Sequence, residues 1–252
     1  MALVLAETVV GTAVLLWLTP LWREVKHGFF RLTSAILLVL ALAAWWSTKA
    51  ALVPGSNAGR WSVRLTLASL AVIGLSTILL FAKQEPAGRV LGLLGVAVSI
   101  AVLFPMAEAG RQSVPLGLFQ LAAGAAFLGS VTAGLLLGHW YLTDRGLPRG
   151  PINRFTNVML AAVIVEAVAV ISGGFGGTAA SQTLNPLLTS GALAPWIALG
   201  MVGTTGLIAV FTRATLKGTR ASAVQSATGF YYLAVVTAFT AELAFKIRFL
   251  PT

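Results

Sequence analysis

The stretch "LASLAVIGLSTILLFAKQEPAGRVLGLLGVAVSIAVLF", Leu67 to Phe104, contains two long apolar runs separated by the hexapeptide Lys83 to Gly88. Each run belongs to an apolar segment of about 20 residues, which is long enough to cross a hydrocarbon core of roughly 30 Å as a helix. The charged hexapeptide contains Pro and Gly, as a tight turn between two helices requires. The stretch therefore predicts a membrane-spanning helical hairpin.

The composition of the whole chain agrees with this hairpin. Apolar residues make up 58% of the chain and charged residues 10%, and the mean hydropathy is +0.91, which soluble domains do not reach. Within lipid every backbone amide must be paired inside its own segment, and the alternating pattern of a barrel strand is absent from the sequence. The predicted fold class is therefore an all-α integral membrane protein.

Eight transmembrane helices are predicted along the chain. They cover approximately residues 2–21, 29–51, 62–83, 87–107, 116–143, 155–174, 193–213 and 221–248. No basic region precedes the first run, which contains Glu7, so it is predicted to be a retained helix and not a cleaved signal. The longest connection, residues 173–192, has no charge, and we interpret it as a packed loop or a partly re-entrant segment.

The distribution of Lys and Arg predicts the orientation. Eleven of these residues lie in loops 1–2, 3–4, 5–6 and 7–8, and six lie on the opposite side, which places both termini outside the cytoplasm of an inner (plasma) membrane. The net charge of +10 then reflects topology and attraction to lipid headgroups. Nucleic acid is not a predicted partner, because the basic residues are spread over every loop and no polar domain is present.

Two segments of the sequence resemble each other. Trp17 to Ala44 matches Trp140 to Ala167, with Leu-Thr and Arg-x-Thr at corresponding places and loops that differ by one residue. This indicates two tandem four-helix units, residues 1–112 and 113–252, with the same orientation and an axis along the membrane normal. The alternative remains open, because any two apolar helices that end in Thr and Arg look alike.

The sequence gives little support for a self-contained enzyme. The chain has no cysteine, which excludes thiolate ligation of iron–sulfur clusters, Cys-zinc sites and disulfides. With two histidines and seven acids, a two-metal site is hard to build, and no phosphate-binding loop, nucleophile elbow or zinc-protease motif occurs. We therefore predict no metal site, no covalently bound cofactor and no catalytic residue of its own.

Glu166 is the acid with the strongest functional signal. It lies near the middle of the sixth span, where a carboxylate costs roughly 2.5 kcal/mol or more, so it should face the bundle interior and be paired or protonated. The functional interpretation is a proton relay, a quinol ligand or a cation site. The structural interpretation is a protonated residue that hydrogen bonds between helices.

Two further acids fall near the outer leaflet. Glu242 and Lys246 are four residues apart on the last span, so they share a helix face and are predicted to form a structural ion pair. Glu7 lies at a similar depth in the first span. Glu7 and Glu242 could line one polar pocket if the first and last spans meet, which the sequence does not establish.

The cluster His139, Trp140, Tyr141 and Asp144 lies at the cytoplasmic membrane boundary. Trp and Tyr are common there as interfacial anchors, whereas His139, Tyr141 and Asp144 could bind a quinone headgroup or a partner subunit. His27 lies on the same side, which raises bis-histidine haem ligation by His27 and His139. The sequence argues against haem, because His27 lies in the charged run "WREVKHG" and haem ligands usually come from within facing helices.

The segment Ala227 to Pro251, "ATGFYYLAVVTAFTAELAFKIRFLP", and the eight spans in two units resemble the membrane-anchor subunits of the polysulfide and dimethyl-sulfoxide reductase class. The resemblance implies a haem-free subunit that holds peripheral redox subunits at the membrane and exchanges electrons with quinol. The sequence does not match the quinol-site residues one by one.

These observations predict a multi-pass membrane subunit of a respiratory or other energy-transducing redox complex. Its predicted partners are lipids, quinone and the other membrane and peripheral subunits of that complex. Two alternatives remain. The chain could be a small secondary transporter or channel with Glu166 as its coupling residue, or a purely structural subunit of a larger membrane assembly.

Overall fold

The computed structural model describes residues 1–19, 21–51, 56–110, 112–144, 146–175, 193–218 and 222–247. Within these residues all regular secondary structure is helical, so the all-α part of the predicted fold class is confirmed. The helices are α1 (Ala2–Leu18), α2 (Leu21–Glu24), α3 (His27–Ala51), α4 (Asn57–Phe81), α5 (Glu85–Glu108), α6 (Val114–Thr143), α7 (Gly150–Ser172), α8 (Ala194–Leu216) and α9 (Ser222–Lys246). The predicted connection 173–192 lies mostly outside the described residues.

Seven of these helices, α3 to α9, are long and apolar enough to span a membrane. They contain 23 to 30 residues, and all carry an apolar window with a mean hydropathy of at least 1.3. Helix α1 is also apolar but has 17 residues, which gives a length of about 26 Å at 1.5 Å per residue. The chain is therefore a multi-pass membrane protein, and the first predicted span, residues 2–21, corresponds to this shorter helix.

The boundaries of two helices differ from the prediction for local reasons. Helix α1 ends at Leu18, because Thr19 precedes Pro20 in the sequence and is extended, as a residue before proline prefers. Helix α4 begins at Asn57, five residues earlier than predicted. The Ser56 side chain caps it by accepting a hydrogen bond from the Gly59 amide at 3.0 Å.

The hairpin of α4 and α5 has the short connection that its sequence predicts. Helix α4 ends at Phe81, and α5 begins at Glu85 with Pro in its first turn. Between them Lys83 adopts a left-handed conformation with φ of 63°. The Ser76 hydroxyl donates a hydrogen bond of 2.7 Å to the Gly88 carbonyl, which joins the two helices next to the turn.

Helices α1 and α6 form the centre of the bundle. Helix α6 is the most buried spanning helix, and it packs against α1, α5, α7 and α9. Gly11 and Gly129 allow the close approach of α1 and α6, since a Cβ atom at Gly11 would overlap the Ala125 carbonyl and one at Gly129 would overlap the main chain of Gly11. Side chains at the centre therefore come from helices that are distant in sequence.

The long helices form two rings, and α1 and α6 each belong to one of them. Helices α1, α3, α4 and α5 form one ring, in which each helix contacts the next and α5 contacts α1. Helices α6, α7, α8 and α9 form a second ring with the same order of contacts. Large apolar side chains cover the outside of the bundle, whereas Ser, Thr, Glu and Lys side chains lie buried inside it.

Candidate functional site: a buried acid–lysine cluster

Four ionisable side chains from three helices meet inside the bundle: Glu7, Glu166, Glu242 and Lys246. We call them the acid–lysine cluster. Their exposed fractions are 0%, 1%, 0% and 3%. The Lys246 ammonium lies 2.8 Å from Glu7 Oε1 and 3.3 Å from Glu242 Oε2, and it donates a hydrogen bond of 3.2 Å to the main-chain carbonyl of Gln120. The cluster therefore joins α1, α7 and α9 over the surface of α6.

The cluster residues of α1, α7 and α9 all lie near the same end of the bundle. Glu7 lies five residues after the start of α1, and Glu166 lies six residues before the end of α7. At 1.5 Å per residue these positions are about 8–9 Å from the helix ends. Lys246 is the last residue of α9, and Glu242 lies one turn before it. The three carboxyl groups are thus one to two turns inside one face of the bundle, which we call the cluster face.

Gly124 of α6 makes room for two of the carboxyl groups. A Cβ atom at this position would lie 2.7 Å from Glu7 Oε1 and 2.9 Å from Glu242 Oε1, both closer than ordinary contact. Because glycine has no side chain, the carboxyl groups of α1 and α9 can lie directly on the α6 backbone. Any larger residue would force them apart.

Glu166 lies next to Glu242, with which it interacts electrostatically. Two carboxylates cannot hydrogen bond to each other, since each is only an acceptor, whereas a protonated carboxyl donates to its neighbour. With both groups ionised, neither oxygen of Glu166 has a donor within reach. A proton on either carboxyl group would supply the donor that these buried oxygens lack.

The charges of the cluster lead to the same conclusion. Three carboxyl groups face a single ammonium group, so full ionisation would leave two uncompensated negative charges in a lipid-surrounded interior. Such charges are costly, and groups in this position bind protons instead. Two protons would make the cluster neutral. The cluster can therefore hold protons on its carboxyl groups. The free-energy cost of releasing them depends on the buried surroundings.

Gln120 completes the polar contacts on α6. Its side-chain amide donates hydrogen bonds to the Ala169 carbonyl at 3.3 Å and to the Ser172 hydroxyl at 3.4 Å, while its Oε1 atom is buried without a donor. The sequence reasoning missed this residue. A single amide in the apolar run "LGLFQLAAGAAF" was the available signal, because an isolated polar side chain inside a span needs a partner.

The structure assigns the three sequence-predicted acids to one site. The predicted ion pair of Glu242 and Lys246 is present, and Lys246 also pairs with Glu7, so the first and last helices meet there. Glu166 faces the interior as predicted. What the sequence could not show is that Glu7 and Glu242 share one lysine, next to Glu166.

The predicted quinone candidates at the other end of α6 do not join this cluster. His139 is fifteen residues from Gly124 on the same helix, or about 22 Å along its axis. The Tyr141 hydroxyl donates to the Pro148 carbonyl at 2.5 Å, and Asp144 pairs with Lys26 at 3.0 Å. Tyr141 and Asp144 thus hold connecting segments in place. His139 is exposed on the surface of the bundle.

His27 is also engaged elsewhere. Its Nδ1 atom lies 2.6 Å from Glu85 Oε2, and its ring lies 5.1 Å from the ring of Trp22. His27 is therefore held by Glu85 and Trp22, whereas His139 is exposed. Among the described residues no group of three or more His, Cys, Asp or Glu side chains is arranged to hold a metal ion.

Comparison with family models, curated protein sequences and solved structures finds no match to this chain.

Proposed function

We propose that the chain is a proton-handling membrane protein, in which Glu166 and Glu242 bind and release a proton inside the bundle. The supporting observation is the excess of carboxyl groups over ammonium groups in the acid–lysine cluster. A purely structural network would gain from equal numbers of charges, because uncompensated buried charge is destabilising. An excess of acids is instead typical of proton relays in membrane helices.

Our first candidate for the setting is the one that the sequence predicts, a membrane subunit of an energy-transducing redox complex that contacts quinol. Oxidation of quinol to quinone releases two protons and two electrons. The electrons would pass to a metal centre of a partner subunit, and the cluster would conduct the protons. The exposed position of His139 on a helix that is otherwise largely buried favours a contact with a quinone headgroup or a partner at the opposite face.

A proton-coupled secondary transporter is the second candidate. The position of the cluster favours it, because Glu7 belongs to one ring of helices while the other cluster residues belong to the second ring. Coupling sites of secondary transporters lie at such boundaries between repeated units, where the two halves move relative to each other. In this setting Glu166 is the coupling residue.

We also propose that α1 and α3 to α9 are eight spans in two tandem four-helix units. Support comes from the helix contacts, which follow the same order in the two rings. In this correspondence α1 matches α6, and α5 matches α9. The Lys and Arg count favours a cluster face outside the cytoplasm. A cysteine placed at an exposed loop position, labelled with an impermeant thiol reagent in intact cells, tests this orientation.

Proton movement in reconstituted vesicles tests the proposed function. Wild type, Glu166→Gln and Glu108→Gln are incorporated into liposomes that enclose a pH-sensitive dye, and the rate of internal acidification is measured after an external pH step. Glu108 is an exposed acid at the end of α5 and serves as the matched control. We expect Glu166→Gln to slow acidification at least tenfold and Glu108→Gln to match wild type.

Equal rates in wild type and Glu166→Gln, with both proteins folded, would contradict proton handling and leave a structural role. Mild-detergent purification then separates the two settings. Co-purification of subunits with haem, iron–sulfur or molybdenum centres supports the redox complex, whereas a single polypeptide stabilised by a solute supports the transporter.

A further inference from the structure

The Lys246 ammonium occupies a site built of oxygen atoms. Glu7 Oε1 at 2.8 Å, the Gln120 carbonyl oxygen at 3.2 Å and Glu242 Oε2 at 3.3 Å surround it. Two of these oxygens carry negative charge when ionised, and the third is a main-chain carbonyl. Carboxylate and carbonyl oxygens are also the groups with which membrane proteins replace the hydration shell of an alkali cation.

Glu166 and Gln120 carry further buried oxygens without donors. Both oxygens of Glu166 and the Oε1 atom of Gln120 are buried and have no hydrogen-bond donor. Glu166 acts electrostatically on Lys246 and adjoins Glu242, so its carboxyl group faces the cluster. The interior thus holds more oxygen acceptors than the single ammonium group satisfies.

We infer that Lys246 is a tethered cation that makes this site selective for protons over sodium and other alkali cations. Its ammonium group occupies the position that an alkali ion would need, and the side chain cannot diffuse away. A proton needs no such space, because it binds directly to a carboxyl oxygen. The inference rests on the proposed proton binding and names the ion that the same site accepts.

The chain length of lysine matches this role. Lys246 reaches Glu242 from one helical turn away and Glu7 from the neighbouring helix α1, while its stem is buried with the rest of the residue. Replacement by Ala would remove the ammonium group and the four-carbon stem. The three carboxyl groups and the Gln120 oxygens would then form an oxygen-lined space of net negative charge.

The test compares sodium with choline, a cation too large and too weakly coordinated to enter such a space. Wild type, Lys246→Ala and Lys217→Ala are unfolded thermally in detergent in NaCl and in choline chloride at equal ionic strength. Lys217 is exposed after α8 and serves as the matched control. We expect equal Tm values in both salts for wild type and Lys217→Ala, and a Tm several degrees higher in NaCl for Lys246→Ala.

A concentration-dependent sodium stabilisation of wild type would overturn the inference, and so would a folded Lys246→Ala protein with equal Tm values in the two salts. If Lys246→Ala does not fold, wild-type proton movement in vesicles decides the question. Rates unaffected by exchange of choline for sodium support the inference, and inhibition by sodium overturns it. These outcomes are separate from failure of the proposed function, which is an unchanged rate in Glu166→Gln whatever the salt.

Discussion

The replacement Gly124→Ala tests whether the carboxyl groups of the cluster lie on the α6 backbone. The added Cβ atom would lie 2.7 Å from Glu7 Oε1 and 2.9 Å from Glu242 Oε1. To reach an ordinary contact of 3.4 Å, these oxygens must retreat by about 0.7 Å and 0.5 Å. The displacement would disturb the pairing with Lys246, in which the Glu7 oxygen is 2.8 Å from the ammonium nitrogen.

The expected loss of stability follows from two opposing effects. Overpacking a well-packed interior costs about 1–3 kcal/mol. The better helix propensity of Ala offsets up to about 1 kcal/mol of this. The net loss of up to about 2 kcal/mol corresponds to a Tm that falls by up to roughly 8 °C for a chain of this size.

Thermal unfolding in detergent and proton movement in vesicles measure the two consequences. Gly203→Ala is the matched control, because a Cβ atom at Gly203 of α8 meets no atom within 4 Å. We expect Gly124→Ala to unfold at a lower temperature and to move protons more slowly, while Gly203→Ala equals wild type or unfolds slightly later. A Gly124→Ala protein with wild-type Tm and proton movement would refute the placement of the carboxyl groups on α6.

Three further predictions concern other parts of the bundle. Gly11→Val should prevent accumulation of folded protein, because the valine side chain would overlap the α6 backbone. Gly200→Val, where a Cβ atom meets nothing within 4 Å, should fold, and size-exclusion profiles of fluorescently tagged proteins compare the two variants. His139→Ala should lower quinol-dependent electron transfer in native membranes without loss of assembly. Unchanged turnover would contradict the proposed contact between His139 and quinone. Asp144→Asn should lower Tm by only a few degrees, because its partner Lys26 is 75% exposed and such pairs contribute about 1 kcal/mol or less; a loss of folding would contradict this.

The fold class and most of the helices could be predicted from the sequence, because apolar length alone identifies a span. The hairpin at Lys83 to Gly88 was predictable as well, since charge, Pro and Gly interrupt two apolar runs there. The ends of α1 and α4 were less predictable. They depend on the extended conformation of Thr19 and on a cap at Ser56, which average hydropathy does not reveal.

The acid–lysine cluster could be predicted only in pieces. The sequence places Glu242 and Lys246 on one helix face and shows that Glu166 is costly in lipid. It contains no signal that α1 meets α9, because that contact depends on the close approach of α1 and α6 at Gly11 and Gly129. Gly124 was also beyond sequence reasoning, since its role is visible only when the carboxyl groups above it are known.

The central proposal is that Glu166 binds a proton next to Glu242 inside the membrane. Infrared spectroscopy of the reconstituted protein measures it most directly, through the carbonyl stretching band of protonated carboxyl groups before and after exchange into heavy water. We predict that this band is present in wild type, loses intensity in Glu166→Gln and is unchanged in the matched control Glu108→Gln. Bands of equal intensity in wild type and Glu166→Gln would contradict the claim.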